Sequence, residues 1–217
     1  MRAGGSATAD VDGKRAFLLA IGCACALATP ACAAAPAARI MPAALVLPRA
    51  ELPGFAAAKV KLRSTTSAAD YGGKPNAGAL EHDGFAQGAL ETFRLARDAF
   101  ASSWAAVFRT AAGAKHAFAA ESSEFSPASS PAPAEKSATR QTFAVAALPG
   151  ALGRRQTQTE PGGQLSEVEV SFTTGRCLLN LTIGRFSSKA DVSIRQLEDT
   201  AIAGVTALER HVRHVCV

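Results

Sequence analysis

Apolar and polar residues alternate along several short stretches of the chain, and this period of two predicts β-strands. In the clearest example, Val168, Val170 and Phe172 alternate with acidic and hydroxyl side chains. A short turn ending at Gly175 then leads into a stretch in which Cys177 and every second residue share one face. About five strands are predicted in this way, over residues 85–95, 100–108, 154–159, 168–172 and 177–183.

The last part of the chain carries the clearest helical pattern. Its apolar residues advance by three or four positions and form one stripe, in which Leu197 and Leu208 are expected to be among the most buried. Ser188 and Asp191 have the spacing of an N-terminal capping box. The pattern predicts a helix of about 25 residues that covers a face of the sheet. A shorter helix is predicted over residues 110–121.

The remaining segments are rich in turn-forming residues. Residues 64–84 contain Gly-Gly, Pro-Asn and Asp-Gly pairs, which predict a loop. Residues 122–140 are rich in Ser and Pro and predict an exposed, mobile loop. Strands followed by helices are typical of α+β domains. We therefore predict a single α+β domain over residues 51–217, with an antiparallel sheet covered by a short helix and a long C-terminal helix.

The N-terminus has the pattern of a secretory signal peptide. A basic pair precedes an uncharged apolar run over residues 16–28, and an Ala-Cys-Ala cleavage site follows. This predicts a signal peptide over residues 1–33 and an Ala/Pro-rich tether over residues 34–50. The protein would then be secreted.

Two other interpretations of the N-terminus stay open. The four residues ending at Cys23 resemble the bacterial lipobox, although Ala20 stands where that motif prefers leucine. A lipid on Cys23 would anchor the domain to the outer face of the cytoplasmic membrane. An uncleaved membrane anchor is less consistent with the sequence, because the apolar run is shorter than the roughly 20 residues of a spanning helix.

Composition and charge narrow the classes of partner. Hydrophobic residues make up 48% and charged residues 19% of the chain, so that a packed core is feasible. The formal net charge is +5, but the basic residues are scattered rather than clustered as in nucleic-acid binders. We therefore expect no nucleic-acid partner, and no membrane contact except through a lipid at Cys23.

Two cysteines, Cys177 and Cys216, lie outside the predicted leader. An even pair in an exported chain predicts a disulfide. A straight final helix would carry Cys216 past Cys177. Pairing therefore requires that the chain leaves the helix near residues 211–214 and folds back, or that the helix crosses the strands obliquely.

Catalytic and metal-binding motifs are absent from the sequence after residue 33: it has no G-x-S-x-G, H-E-x-x-H, glycine-rich phosphate loop or C-x-x-C. His211 and His214 are three apart beside Cys216, but no third ligand on another element is apparent, and we interpret them as a polar helix end. Residues 81–83 place a histidine between two carboxylates and are interpreted as a solvated loop. We expect no catalytic residue, no cofactor and no bound metal.

Three aromatic residues fall on one face of the second predicted strand. Phe100, Trp104 and Phe108 alternate with smaller residues, so that they point to the same side of the sheet. They either form the core beneath the first helix or line a ligand groove. The core is the favoured interpretation, because that helix must pack on an apolar surface.

Two stretches resemble a known family. Residues 99–114 are similar to the strand-into-helix segment of small exported actinobacterial proteins, many of them lipoproteins, and residues 175–182 with the helix that follows are similar to their closing hairpin and helix. Some mycobacterial members of that family resemble the PsbP/Mog1 fold, an antiparallel sheet with helices on its faces. The resemblance spans roughly residues 85–215 and rests on packing motifs. Cys177 departs from the family's pattern.

The resemblance implies an extracytoplasmic binding or accessory domain of the cell envelope, with no known common chemistry. We therefore expect a protein that is not an enzyme and whose partner is an unidentified ligand or envelope protein. The alternative is a carrier that holds a lipid-like molecule in a groove between the sheet and the helices.

Overall fold

The structure is a computed structural model that describes residues 40–55, 57–95, 98–124, 138–188 and 193–217. These residues form an α+β fold with seven strands and three α-helices, and two 3₁₀ turns precede the first strand. The strands are β1 (Lys59–Thr65), β2 (Phe85–Arg94), β3 (Ala99–Phe108), β4 (Ala138–Ala144), β5 (Leu152–Glu160), β6 (Gly163–Thr174) and β7 (Cys177–Ser187). The helices are α1 (Ala68–His82), α2 (Ala111–Glu124) and α3 (Ile194–Val212).

All strand pairs in the sheet are antiparallel. The order across the sheet is β1-β2-β3-β7-β6-β5-β4, so that β3 and β7 meet at its centre. Trp104 of β3 pairs with Asn180 of β7, and Phe100 pairs with Gly184. This register places the side chains of even-numbered residues of both strands on one face and those of odd-numbered residues on the other.

Helix α3 covers the odd-numbered face, as its apolar stripe predicts. Leu208 is completely buried and belongs to one core cluster with Leu179 and Leu181 of β7. The prediction for Leu208 is confirmed. Leu197 is only partly buried, because it lies in the first turn of the helix and packs at the margin of the core.

A disulfide joins the end of α3 to the start of β7. The Cα atoms of Cys177 and Cys216 are 5.5 Å apart, within the range that a disulfide spans. The helix ends at Val212, whose carbonyl accepts a hydrogen bond from the Cys216 amide at 3.1 Å. The Cys216 carbonyl in turn accepts from the Arg176 amide at 2.8 Å. The pairing is achieved because the chain leaves the helix and folds back.

The sheet has two strands more than the sequence analysis predicts. Both are edge strands: β1 is exposed along nearly all its length, and β4 begins in the last three residues of the predicted loop over residues 122–140 and continues to Ala144. An edge strand buries little apolar surface, so its hydrophobic pattern is weak. Residues 125–137 of that predicted loop lie outside the described part of the chain.

The predicted loop over residues 64–84 is also wrong, because it contains helix α1. The Ser67 hydroxyl caps this helix by accepting a hydrogen bond from the Asp70 amide at 3.2 Å. Gly73 then adopts a positive φ of 77°, which glycine accepts without steric cost. The helix kinks at that residue, and Pro75 opens the segment that follows. The Gly and Pro residues that predicted a loop therefore mark a kink.

Two boundaries differ from prediction. Helix α3 has 19 residues and its N-cap is Ser193, so that Ser188 lies outside it, and Asp191 is outside the described residues. The predicted tether over residues 34–50 is incorrect from residue 45 onward, because Leu45, Val46 and Leu47 are buried in the core. The Leu47 amide donates to the Ser103 hydroxyl at 3.0 Å. The predicted signal peptide, including Cys23, lies outside the described residues.

Candidate functional site

A pocket of about 270 Å³ lies on the even-numbered face of the sheet, where α1 and α2 cover it only in part. Its size is just under the usual range for small-molecule sites, about 300–1,000 Å³. Its walls are largely apolar and its floor is polar. The apolar or uncharged lining comes from Tyr71, Gly72, Asn76, Ala79, Leu80, Trp104, Ala117, Ala120 and Leu178. The polar part, here called the floor, comes from the sheet residues Glu169, Asn180 and Thr182 together with Asp83 at the end of α1 and Glu121 of α2.

An aromatic group forms one wall of the pocket. The Tyr71 ring lies 5.1 Å from the Phe85 ring and 5.8 Å from the Trp104 ring, the latter in an edge-to-face arrangement. A Cβ atom at Gly88 would lie 2.2 Å from the Tyr71 ring, so the absence of a side chain at Gly88 lets Tyr71 lie flat on the sheet. Burial raises the pKa of the Tyr71 hydroxyl, which therefore stays protonated at neutral pH.

The floor of the pocket is a network of polar side chains. The Ser171 hydroxyl donates a hydrogen bond to the Glu121 carboxylate at 2.9 Å, and the Asn180 amide donates to the Ser171 hydroxyl at 2.9 Å. The same amide donates to Glu169, which also pairs with Arg154. The Glu121 carboxylate of α2 is therefore linked through Ser171 and Asn180 to the Glu169 carboxylate of β6, which pairs with the Arg154 guanidinium.

Glu121 is the unusual member of this network. Burial raises the pKa of Glu121 to about 7, the Ser171 hydroxyl partly opposes this increase, and the Glu169 carboxylate adds to it. Near neutral pH, Glu121 is therefore a neutral acid in part of the molecules and an anion in the others. As an acid it donates a hydrogen bond, and as an anion it attracts a cation, so that it can recognise either kind of ligand group.

The three aromatic residues predicted as core or groove have three different environments. Trp104 lines the pocket, and its indole N–H donates to the Ser102 hydroxyl at 3.1 Å. Phe108 is completely buried between the sheet and α2, so it is core and not groove. Phe100 lies over Gly184 beside a separate shallow depression. Trp104 also lines that depression, so Phe108 alone of the three belongs to the closed core, and the groove stays a prediction for Phe100 and Trp104.

Sequence reasoning missed the two residues that give the pocket its character, Tyr71 and Glu121. The turn-forming residues of the segment 64–84 predict a loop and so conceal Tyr71, although Ser67 and Asp70 have the spacing of a helix cap. Glu121 follows Ala117 by four positions on α2 and therefore shares its inward face. A carboxylate on an otherwise apolar face was the signal for a functional residue.

The histidines also differ from expectation. Residues 81–83 end α1 instead of forming a loop, and His82, Asp83 and His116 lie together. The C-terminal pair forms no such group among the described residues. His214 is exposed, and Cys216 is in the disulfide.

Fold and site together define an antiparallel α+β domain with one closed face and one face that holds a pocket. The fold is similar to that of the extracellular domain of PknH from Mycobacterium tuberculosis, with a TM-score of 0.52. The two chains are 9% identical, and the match covers 78% of this chain and 93% of that domain. At this identity the likeness concerns the fold alone.

Comparisons of sequence give no family. No family model matches the chain, and neither does any curated protein. Within the described ranges, no helix has the length and apolar character needed to span a membrane.

Proposed function

We propose that the protein is an extracytoplasmic binding or accessory module of the cell envelope, and that it acts by binding a small ligand without transforming it. The leader pattern supports export, and a disulfide is typical of proteins in oxidising compartments. The fold of an extracellular domain is consistent with this location. The proposal includes both a freely secreted chain and a chain that a lipid on Cys23 anchors to the membrane.

The pocket beneath α1 and α2 carries the proposal of ligand binding. Its apolar walls favour a ligand with an apolar body, and the Glu121 and Glu169 carboxylates favour a cationic or hydrogen-bond-donating end. A primary amine on a short hydrocarbon chain has this chemistry. A volume of about 270 Å³, just under the usual range for small-molecule sites, favours a small ligand.

A lipid-like cargo is the second candidate function. The apolar walls and the open side of the pocket favour it, because a long chain could extend out of the pocket. The small volume of the pocket makes this alternative weaker than a small ligand.

Trp104 makes the proposal directly testable. It is the one tryptophan of the chain and lines the pocket, so intrinsic fluorescence reports on this site. The probes are a series of primary alkylamines with four to eight carbons, the matching alcohols and carboxylates, and palmitate. We expect a saturable change in Trp104 emission with the amines, and weaker or no binding of the carboxylates.

Two glutamate variants separate site binding from general charge effects. Glu121→Gln should weaken amine binding about fivefold or more, by loss of a charge-assisted contact, and should leave alcohol binding nearly unchanged. Glu198→Gln is the matched control, because Glu198 pairs with Arg155 and lies on α3. Equal effects of the two variants, or no response of Trp104 to any probe, would contradict the proposal. Preferred binding of palmitate would support the lipid carrier instead.

Export is tested by the N-terminus of protein isolated from cell fractions. We expect the mature chain outside the cytoplasm, with an N-terminus after residue 33 or a lipid on Cys23, and mass spectrometry distinguishes these two. Recovery of the intact leader in the cytoplasmic fraction would exclude an extracytoplasmic module.

A further inference from the structure

A second group of side chains with ligand chemistry lies at the end of α1, apart from the Glu121 network. The Nδ1 atoms of His82 and His116 lie 3.2 Å and 2.6 Å from the same carboxylate oxygen of Asp83. The potential ligand atoms of the three residues are all within 4.8 Å of one another. The two imidazoles are 82% and 69% exposed, whereas the Asp83 side chain is only 6% exposed. The group therefore consists of a buried carboxylate and two imidazoles that are largely exposed to solvent.

Backbone packing brings these residues together from two helices. Asp83 is the C-cap of α1, and the Gly84 carbonyl accepts a hydrogen bond from the Arg109 amide at 2.9 Å, just before α2. A Cβ atom at Gly113 would lie 1.9 Å from the Asp83 carbonyl oxygen, so only glycine permits this contact between the turn and α2. His116 follows Gly113 by three positions and therefore stands about one turn along the same helix, above the carboxylate.

We propose that His82, Asp83 and His116 bind a divalent transition-metal ion, with zinc as the ion of reference and water completing its coordination. Two imidazole nitrogens and one carboxylate oxygen are a common zinc ligand set, whereas magnesium and calcium prefer oxygen ligands alone. Zinc–ligand bonds of about 2.0–2.1 Å place tetrahedral ligands roughly 3.3 Å apart. The 3.2 Å between His82 Nδ1 and the Asp83 oxygen already matches this value. His116 Nδ1 is closer to that oxygen, at 2.6 Å, and the exposed His116 ring has room to move outward to the same separation.

The position of the site suggests a structural or ligand-recruiting role. A metal there would join the end of α1 to α2, the two helices that cover the pocket. Asp83 also lines the pocket, so an ion would lie at its margin. The metal site does not rest on the proposed binding of an amine, because it uses none of the Glu121 network.

The test is zinc binding to purified full-length protein without a histidine tag, measured by isothermal titration calorimetry. Cobalt is a second probe, because a tetrahedral cobalt centre has a characteristic visible absorption. We expect one zinc per chain, and a dissociation constant raised about tenfold or more by His82→Ala, by His116→Ala and by Asp83→Asn. His214→Ala is the matched control, since His214 is an exposed histidine beyond the end of α3, and it should bind zinc like the wild type.

Circular dichroism of each variant without metal shows whether it is folded. Both histidines are exposed, so their replacement by alanine should leave the fold unchanged. The proposal is wrong if the wild type binds no zinc. It is equally wrong if folded His82→Ala and His116→Ala variants bind as tightly as the wild type, because zinc would then be held elsewhere, for example by the cysteines at positions 23, 25 and 32.

Discussion

The two faces of the sheet differ in what covers them and in what they bury. On the face beneath α3, Ala105 of β3 and the residues Leu179 and Leu181 of β7 are completely buried among aliphatic side chains. On the opposite face, the intervening residues Trp104 and Asn180 line a partly covered pocket. The same two strands therefore supply a closed core on one side and a site on the other.

The sheet therefore separates the residues that stabilise the fold from the residues that line the candidate binding site. The closed face has a long amphipathic helix, the buried residues Leu45, Val46, Leu47 and Leu52, and the disulfide. The pocket face has the kinked α1 and the alanine-rich α2, which leave the pocket partly open, and it holds Glu121, whose burial disfavours the charged carboxylate. We expect changes to the closed face to unfold the protein, and changes to the pocket face to alter binding at small cost in stability.

The largest effect on stability is expected from the disulfide. Cys177 and Cys216 are 39 residues apart, and closing a loop of that length stabilises the fold by about 4 kcal/mol in the chain-entropy model. The double variant Cys177→Ala/Cys216→Ala should lose that free energy of unfolding, measured by urea titration against oxidised wild type. Ligand binding monitored at Trp104 should persist in native conditions. Equal stability of the two proteins would show that the bond adds nothing to the closed face.

The next largest loss of stability is expected from replacing a leucine on the closed face, compared with a leucine on the pocket face. Leu208→Ala removes a completely buried side chain of α3 and should cost about 3 kcal/mol, within the range for large cavities in a closed core. Leu80→Ala shortens a partly buried side chain that already lines the pocket, and should cost about 1 kcal/mol. Urea unfolding of both variants measures the difference. Equal losses would mean that the two faces contribute alike to stability.

The sequence predicted the closed face far better than the pocket face. The stripe on α3 and the alternation in β6 and β7 are strong because one side of each element is uniformly apolar. In contrast, α1 has a weak pattern, since it covers its face incompletely and is interrupted at Gly73. A site is hard to predict for the same reason. The contact between Asp83 and His116 joins residues 33 positions apart and depends on a backbone approach at Gly113 that no local pattern encodes.

The smallest expected effect is a pH dependence of the protein's stability that arises from Glu121 on the pocket face. The pKa of Glu121 is about 7 in the folded protein and near its ordinary value of 4.5 in the unfolded chain. The folded state therefore binds this proton more tightly, so stability from Glu121 is fully present below about pH 4.5 and decreases as the pH rises toward 7. Because the pocket is open to water, we expect a loss on the order of 1 kcal/mol between pH 5 and pH 8.

Glu121→Gln isolates this contribution, because all other titrating groups stay in place. Urea unfolding at pH 5, 6, 7 and 8 measures the free energy of unfolding of both proteins. As the pH rises, the variant should become more stable relative to the wild type. The amide of glutamine can still accept the hydrogen bond from Ser171, so the network on the floor should stay connected. A difference that is constant with pH would mean that Glu121 titrates normally. Protonation of Glu121 below pH 7 should weaken amine binding as the pH falls from 8 to 6. If Glu121 titrates normally, its charge stays in place over this range and amine binding should not change with pH.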